Sequence, residues 1–253
     1  MKIDLSSKVA LVTGASGNLG RVIARTLAEC GADVAVHYRS NETGARDVQK
    51  QIEALGRRSV CLRADITDQQ EVLRMRDEAR IALGAPDIVV CNAVIQYPWT
   101  GILDQSPVDF ESQFRSCTLH AVLMAQAFVP AMQAKRHGRF LAINTECALQ
   151  CSPNQGAYAS GKRGLDGIMR VLAREIGPDG ITVNQVAPGW MISQSDRSAG
   201  TESQPDYEEK IPLRHRGEDQ DIANAVAFLA SDQAAFITGA FLPVCGGNIM
   251  PGI

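Results

Sequence analysis

Apolar residues gather along the chain in short β-branched runs, at 9–13, 34–38, 59–64, 87–92, 139–144, 181–186 and 239–244. The first six are continuous rather than alternating, as in parallel strands buried on both faces. Between them, apolar positions recur with helical spacing over 19–30, 42–55, 69–83, 108–135, 157–176 and 219–229. Strand–helix–strand repetition implies right-handed crossovers, with helices on both sides of one sheet. The pattern predicts a Rossmann-type, doubly wound α/β fold with a seven-stranded, mainly parallel sheet. No linker or internal repeat divides residues 1–253, so a single domain is expected. The one long irregular region, about 189–212, is polar and contains Pro205. A loop of that length inside a compact fold covers a site or is mobile.

Two patterns carry candidate chemistry. The strand at 9–13 runs into Gly-Ala-Ser-Gly-Asn-Leu-Gly, residues 14–20, and then into a helix. Small residues there let the backbone approach a pyrophosphate, and the helix N-terminus offers free N–H groups and a positive dipole end. The bland alternative is a glycine-rich turn with no ligand. The second pattern is Tyr158 with Lys162, four residues apart on a helical segment and so on one face. A phenol of pKa about 10 exchanges protons poorly at neutral pH, and a nearby ammonium favours its phenolate. Alone, Tyr-x-x-x-Lys is a common surface coincidence; behind a phosphate-binding loop it gains meaning.

Composition narrows the partners. A formal net charge of −3 and 21% charged residues argue against a nucleic-acid surface. No uninterrupted run approaches the roughly 18 apolar residues of a membrane span. The N-terminal stretch carries an acid and turns directly into the glycine-rich loop, unlike a signal peptide. The seven cysteines are scattered without a C-x-x-C pair, and the four histidines lie far apart, so no metal site is expected. Reduced thiols in a cytoplasmic protein are the plain reading.

Thr13 to Gly20 resembles the T-G-x-x-x-G-x-G loop of the short-chain dehydrogenase/reductase family, with the middle glycine replaced by Asn18 and a glycine at 17. Asparagine tolerates the left-handed backbone well. The resemblance covers about residues 7–247, and the C-terminal stretch is similar to the 3-oxoacyl-carrier-protein-reductase-like members. It implies that Gly14, Ser16, Asn18, Leu19 and Gly20 cradle a dinucleotide. Asp65 and Ile66 would flank the adenine. Asn92 and Ala93 retain two positions of N-N-A-G, with Cys91 and Val94 at the others. Pro188 and Gly189 close an N-x-V-x-P-G segment, and Ser193 stands where a threonine commonly meets the cofactor. After the second strand, Arg39 and Ser40 replace the acid that favours NAD; an arginine there grips a 2′-phosphate, so NADP(H) is favoured, with NAD(H) the alternative.

For catalysis the resemblance assigns Tyr158 as general acid/base and Lys162 as its partner. Thr145 takes the place of the family's serine and Cys117 that of its asparagine. Cysteine keeps the main-chain carbonyl thought to extend a proton relay but lacks the amide that helps fix the local helix. Residues 189–212 would form the substrate lid, and assembly into a homotetramer, or a homodimer, is implied. The expected activity is reduction of a carbonyl or oxidation of the matching secondary alcohol, in the manner of a 3-oxoacyl-thioester reductase. A second expectation is a low-activity dinucleotide-binding sensor or partner subunit; a methyltransferase is disfavoured by the Tyr158–Lys162 pair.

Overall fold

The computed structural model describes residues 3–251. Seven strands form one sheet in the order β3-β2-β1-β4-β5-β6-β7, and every neighbouring pair is parallel. They are β1 (Val9–Val12), β2 (Asp33–Tyr38), β3 (Ser59–Arg63), β4 (Ile88–Cys91), β5 (Gly138–Ile143), β6 (Ile181–Pro188) and β7 (Phe241–Val244). Around them lie α1 (Asn18–Glu29), α2 (Glu42–Ala54), α3 (Gln69–Ala82), α4 (Pro107–Gln113), α5 (His120–Lys135), α6 (Cys147–Gln150), α7 (Gly156–Ile176), α8 (Gln194–Ala199), α9 (Pro205–Glu208) and α10 (Asp219–Ala230).

Strand residues alternate between two cores, which is why the runs are apolar throughout. Ala10 and Val12 pack with Ile23 and Leu27 of α1, Val48 of α2 and Val226 of α10. Val9 and Leu11 face the opposite layer, with Met75 of α3, Phe128 of α5 and Met169 of α7. Strand order reverses between β1 and β4, so the loops leaving those two strands diverge and open a crevice at their C-terminal ends.

Three differences from the sequence pattern have physical reasons. The helical run expected at 108–135 is broken by a π-helical turn, Phe114–Leu119, between α4 and α5. The combined stretch Pro107–Lys135 is also long and apolar enough to cross a membrane by composition, although no uninterrupted apolar run suggested it. Here it is a core helix, with Met124, Phe128 and Met132 fully buried. The irregular 189–212 segment contains α8 and α9, each too short for periodicity to show.

Candidate active site

The glycine loop is tied down from beneath. Thr13 Oγ1 accepts hydrogen bonds from the N–H groups of Asn92 (2.8 Å) and Ala93 (3.1 Å), and Asn92 Nδ2 donates to Thr13 O (2.9 Å). These bonds join the ends of β1 and β4 at the point where strand order reverses. Gly14 has φ +66° and donates its N–H to His37 Nδ1 at 2.9 Å. On the other side of that ring, Nε2 lies 3.0 Å from Ala64 O, which can only accept, so Nε2 carries the proton. Burial holds His37 at a pKa of about 4, leaving it neutral. His37 therefore braces the loop across β1, β2 and β3. No motif points to it; its one signal is a histidine inside an otherwise apolar strand.

Gly20 is required by contact. A Cβ there would run into Gly14 O and would meet Asn92 Nδ2 at 2.8 Å. Asn18 needs no left-handed backbone, contrary to the expectation for that substitution: it is the first residue of α1, after Gly17 at φ −88°. No side chain caps this 12-residue helix, so its leading N–H groups face the crevice.

The crevice is a cleft of about 500 Å³. Gly14, Ser16, Asn18, Leu19 and Gly20 line one side; Arg39, Ser40, Asp65 and Ile66 line the end near β2 and β3. Asn92, Ala93, Pro188 and Gly189 continue the wall to Thr145, Tyr158 and Lys162 at the other end. Arg39 and Ser40 are exposed, so a guanidinium is available at the mouth. An uncapped helix N-terminus, a glycine cradle that a Cβ would fill, and a cation at the far end together fit a dinucleotide with its phosphates on α1.

At the chemical end, β5 stops at Ile143 and turns. Asn144 fixes the turn: Nδ2 donates to Lys162 O (3.1 Å) and Gln185 Oε1 (2.6 Å), and Oδ1 accepts from Thr145 N (2.9 Å). Thr145 faces Tyr158 across the end of the cleft, and its Oγ1 accepts from Cys147 N at 3.2 Å. Lys162 is buried, donates to Ile143 O at 2.6 Å, and lies 5.7 Å from the Tyr158 ring centroid. Burial pushes the Tyr158 phenol above its ordinary pKa, and the neighbouring Thr145 side chain works against that. In the chain alone, burial therefore outweighs the lowering expected from Lys162. Two aromatic residues that no motif marks complete this end. Trp99 stacks on Tyr158 at 5.9 Å and 28°, and Tyr97 accepts the Tyr158 N–H at 2.8 Å, capping α7.

Two expected residues lie outside the cleft wall. Cys117 sits within the π-helical turn, 2% exposed, with its Sγ 3.7 Å from Gln113 Oε1. Ser193 caps α8: its Oγ accepts from Asp196 N (3.2 Å) and its N–H donates to Asp196 Oδ2 (2.8 Å). Among the described residues, no three His, Cys, Asp or Glu side chains gather as metal ligands.

Known proteins share this architecture end to end. A family model described as enoyl-(acyl carrier protein) reductase matches residues 14–248. The 3-oxoacyl-(acyl-carrier-protein) reductase FabG of Escherichia coli K12 is 36% identical over 258 residues, covering 98% of this chain and 100% of that protein. A 7α-hydroxysteroid dehydrogenase solved with NADH and 7-oxo glycochenodeoxycholic acid superposes with a TM-score of 0.89 at 32% identity, over 99% of this chain and 97% of that one. A blue fluorescent protein from a metagenomic library, solved with NADPH, gives 0.89 at 32% identity, over 98% and 100%.

Proposed function

The chain belongs to the short-chain dehydrogenase/reductase family of NAD(P)-dependent oxidoreductases, and from that premise we propose that it is an NADP(H)-dependent carbonyl reductase with Tyr158 as general acid/base. One observation carries this reading: Thr145, Tyr158 and Lys162 meet at one end of a cleft whose other end presents Arg39. When bound, the nicotinamide cofactor supplies or accepts the hydride.

In the reducing direction Thr145 and Tyr158 hydrogen-bond the substrate oxygen, and Tyr158 delivers the proton as negative charge develops there. Burial keeps the Tyr158 phenol protonated in the chain alone. The Lys162 ammonium, and the positive charge a bound oxidised nicotinamide would bring, act the other way and favour release of that proton. Lys162 spends one N–H on Ile143 O and keeps two for ribose hydroxyls. Cys117 supports the site through the main chain of the π-helical turn. Gly14, Ser16, Asn18, Leu19 and Gly20 hold the pyrophosphate, and Arg39 with Ser40 selects the 2′-phosphate. Asp65, Ile66, Asn92, Ala93, Pro188 and Gly189 complete the dinucleotide contacts, Ser193 serves the α8 cap instead, and 189–212 covers the substrate.

Acyl thioesters of the 3-oxo type head the substrate list by likeness to the acyl-carrier-protein reductases. A cytoplasmic location is supported by seven cysteines that are all free thiols. Homotetrameric assembly is supported by the apolar side chains of Phe114 and Val171 on the long helices and Phe236 before β7, all exposed in the single chain.

The test is NADPH oxidation at 340 nm over β-ketoesters, diketones and ketosugars. Tyr158→Phe should lower turnover by about 10²–10⁴-fold while NADPH still binds. Undiminished activity in that variant would refute the mechanism, and tight NADPH binding without turnover on any carbonyl would favour the sensor.

A further inference from the structure

We propose that Glu146 is a positioning residue, latching the segment that covers the substrate side to the end of the catalytic strand. The kinetic part of this inference rests on the carbonyl-reductase reading; the structural part does not. Glu146 directly follows Thr145 and is 3% exposed, a carboxyl where a buried charge is costly unless fully bonded. Its Oε1 accepts the Tyr207 hydroxyl of α9 at 2.7 Å, and Oε2 accepts Asn248 Nδ2 at 2.9 Å. Its own N–H donates to Pro188 O at 2.9 Å. Three segments remote in sequence thus converge on one residue, two of them on its side chain.

The hydrogen bonds have a direction. Tyr207 Oη already accepts the Trp190 N–H at 2.8 Å, so its single proton points to Glu146. Asn248 also donates. Both oxygens of Glu146 are therefore acceptors; burial raises its carboxyl above the ordinary range, and the hydrogen bonds from Tyr207 and Asn248 work against that rise.

Beyond Trp190 the same segment is held from its other side. The Trp190 ring meets Tyr207 edge-on at 5.6 Å and lies 4.9 Å beneath the Arg216 guanidinium. Arg216 is buried and donates to Trp190 O, Met191 O, Thr201 O, Glu202 O and Asp196 Oδ2 at 2.7–3.2 Å. Packing alone cannot set this wall. Gly189 borders the 500 Å³ cleft on one side and a second, mostly apolar cavity of about 420 Å³ on the other. A chain running between two voids takes its position from its polar anchors. Glu146 is the anchor that refers this wall to Thr145, and hence to the reacting carbonyl.

The test compares the full-length protein with Glu146→Ala, Glu146→Gln and Tyr207→Phe, by hydrogen–deuterium exchange and by steady-state kinetics with NADPH and the best carbonyl found. Glu146→Ala and Tyr207→Phe should speed exchange across 190–208 and raise carbonyl KM by about tenfold, the factor lost with one charge-assisted hydrogen bond. The expected change in kcat is smaller, and NADPH affinity should stay within about twofold, because Glu146 lies outside the cofactor cleft. Glu146→Gln retains an acceptor for Tyr207 and should fall between wild type and Glu146→Ala. Unchanged exchange at 190–208 in both Glu146→Ala and Tyr207→Phe overturns the proposal, as does a loss of protection spread over the whole chain. If the wild type reduces no carbonyl, the functional reading fails, while exchange still decides whether Glu146 is the latch.

Discussion

His37 shows how one side chain can make a binding loop depend on pH. The unfolded chain protonates this imidazole near pH 6.5, whereas burial keeps it neutral in the fold down to about pH 4. Between those values the unfolded state holds more protons, so stability present above pH 6.5 is lost as the pH falls toward 4. The gap corresponds to about 3 kcal/mol. His120, buried and held at about 3, adds in the same direction. His37→Asn keeps an acceptor for the Gly14 N–H but does not titrate. Its urea-denaturation free energy should fall less steeply from pH 6.5 to 4 than that of wild type, and equal slopes would remove His37 from the account. Arg39 is the second telling residue. Losing its guanidinium in Arg39→Ala should weaken NADPH by about tenfold and NADH by less than about threefold. Titration by fluorescence checks this, and an equal loss for both would sink the 2′-phosphate argument. Arg39 was legible because a strand-end position has known chemistry; His37 was not, because its partners, Gly14 and Ala64, are neighbours only in the folded sheet.

At the scale of elements, α7, which carries Tyr158 and Lys162, is placed by close backbone approach. A Cβ on Gly161 of α7 would stand 2.8 Å from Gln113 O, and one on Gly164 would stand 2.6 Å from Thr118 Oγ1. Thr118 Oγ1 donates to Gly161 O at 2.8 Å across the same contact. The helix bearing Tyr158 and Lys162 therefore rests directly on the π-helical turn that holds Cys117. That turn forms with a cysteine at 117, held by close main-chain packing against α7. Gly161→Ala should cost about 1–3 kcal/mol by forcing the two elements apart. Thermal denaturation would register this, and kcat should fall with it as Tyr158 shifts; a neutral variant would show that the contact has slack. Apolar periodicity found the long helices to within a residue or two. It could not find the π-helical turn, whose side chains continue the helical pattern while the hydrogen bonds slip by one residue.

For the whole molecule, continuous apolar runs set between stretches of helical spacing were enough to predict the sheet, because strands buried on both faces have little choice of composition. The cleft was legible from motifs instead: the glycine loop follows β1, and Tyr158 and Lys162 share one face of α7. What stayed hidden was the 189–212 wall, which owes its shape to Glu146, Arg216 and Asn248, none of them local to it. Assembly belongs to this scale too. Light scattering on the purified protein should give a mass near four times 27.2 kDa; a single-chain mass would leave the exposed Phe236 and Phe114 without the role proposed for them.

The interior position of β1 also governs how the chain is made. As synthesis proceeds, β1, β2 and β3 can pair in turn, but the other flank of β1 waits for β4, beyond the intervening α3. Until then the β4-facing edge of β1, a strand of four apolar residues, keeps its backbone groups unpaired, and Thr13 has no Asn92 to bond. A nascent chain halted before β4 should therefore recruit holdase chaperones and show no dinucleotide affinity, with both properties reversing once β4 has emerged and docked.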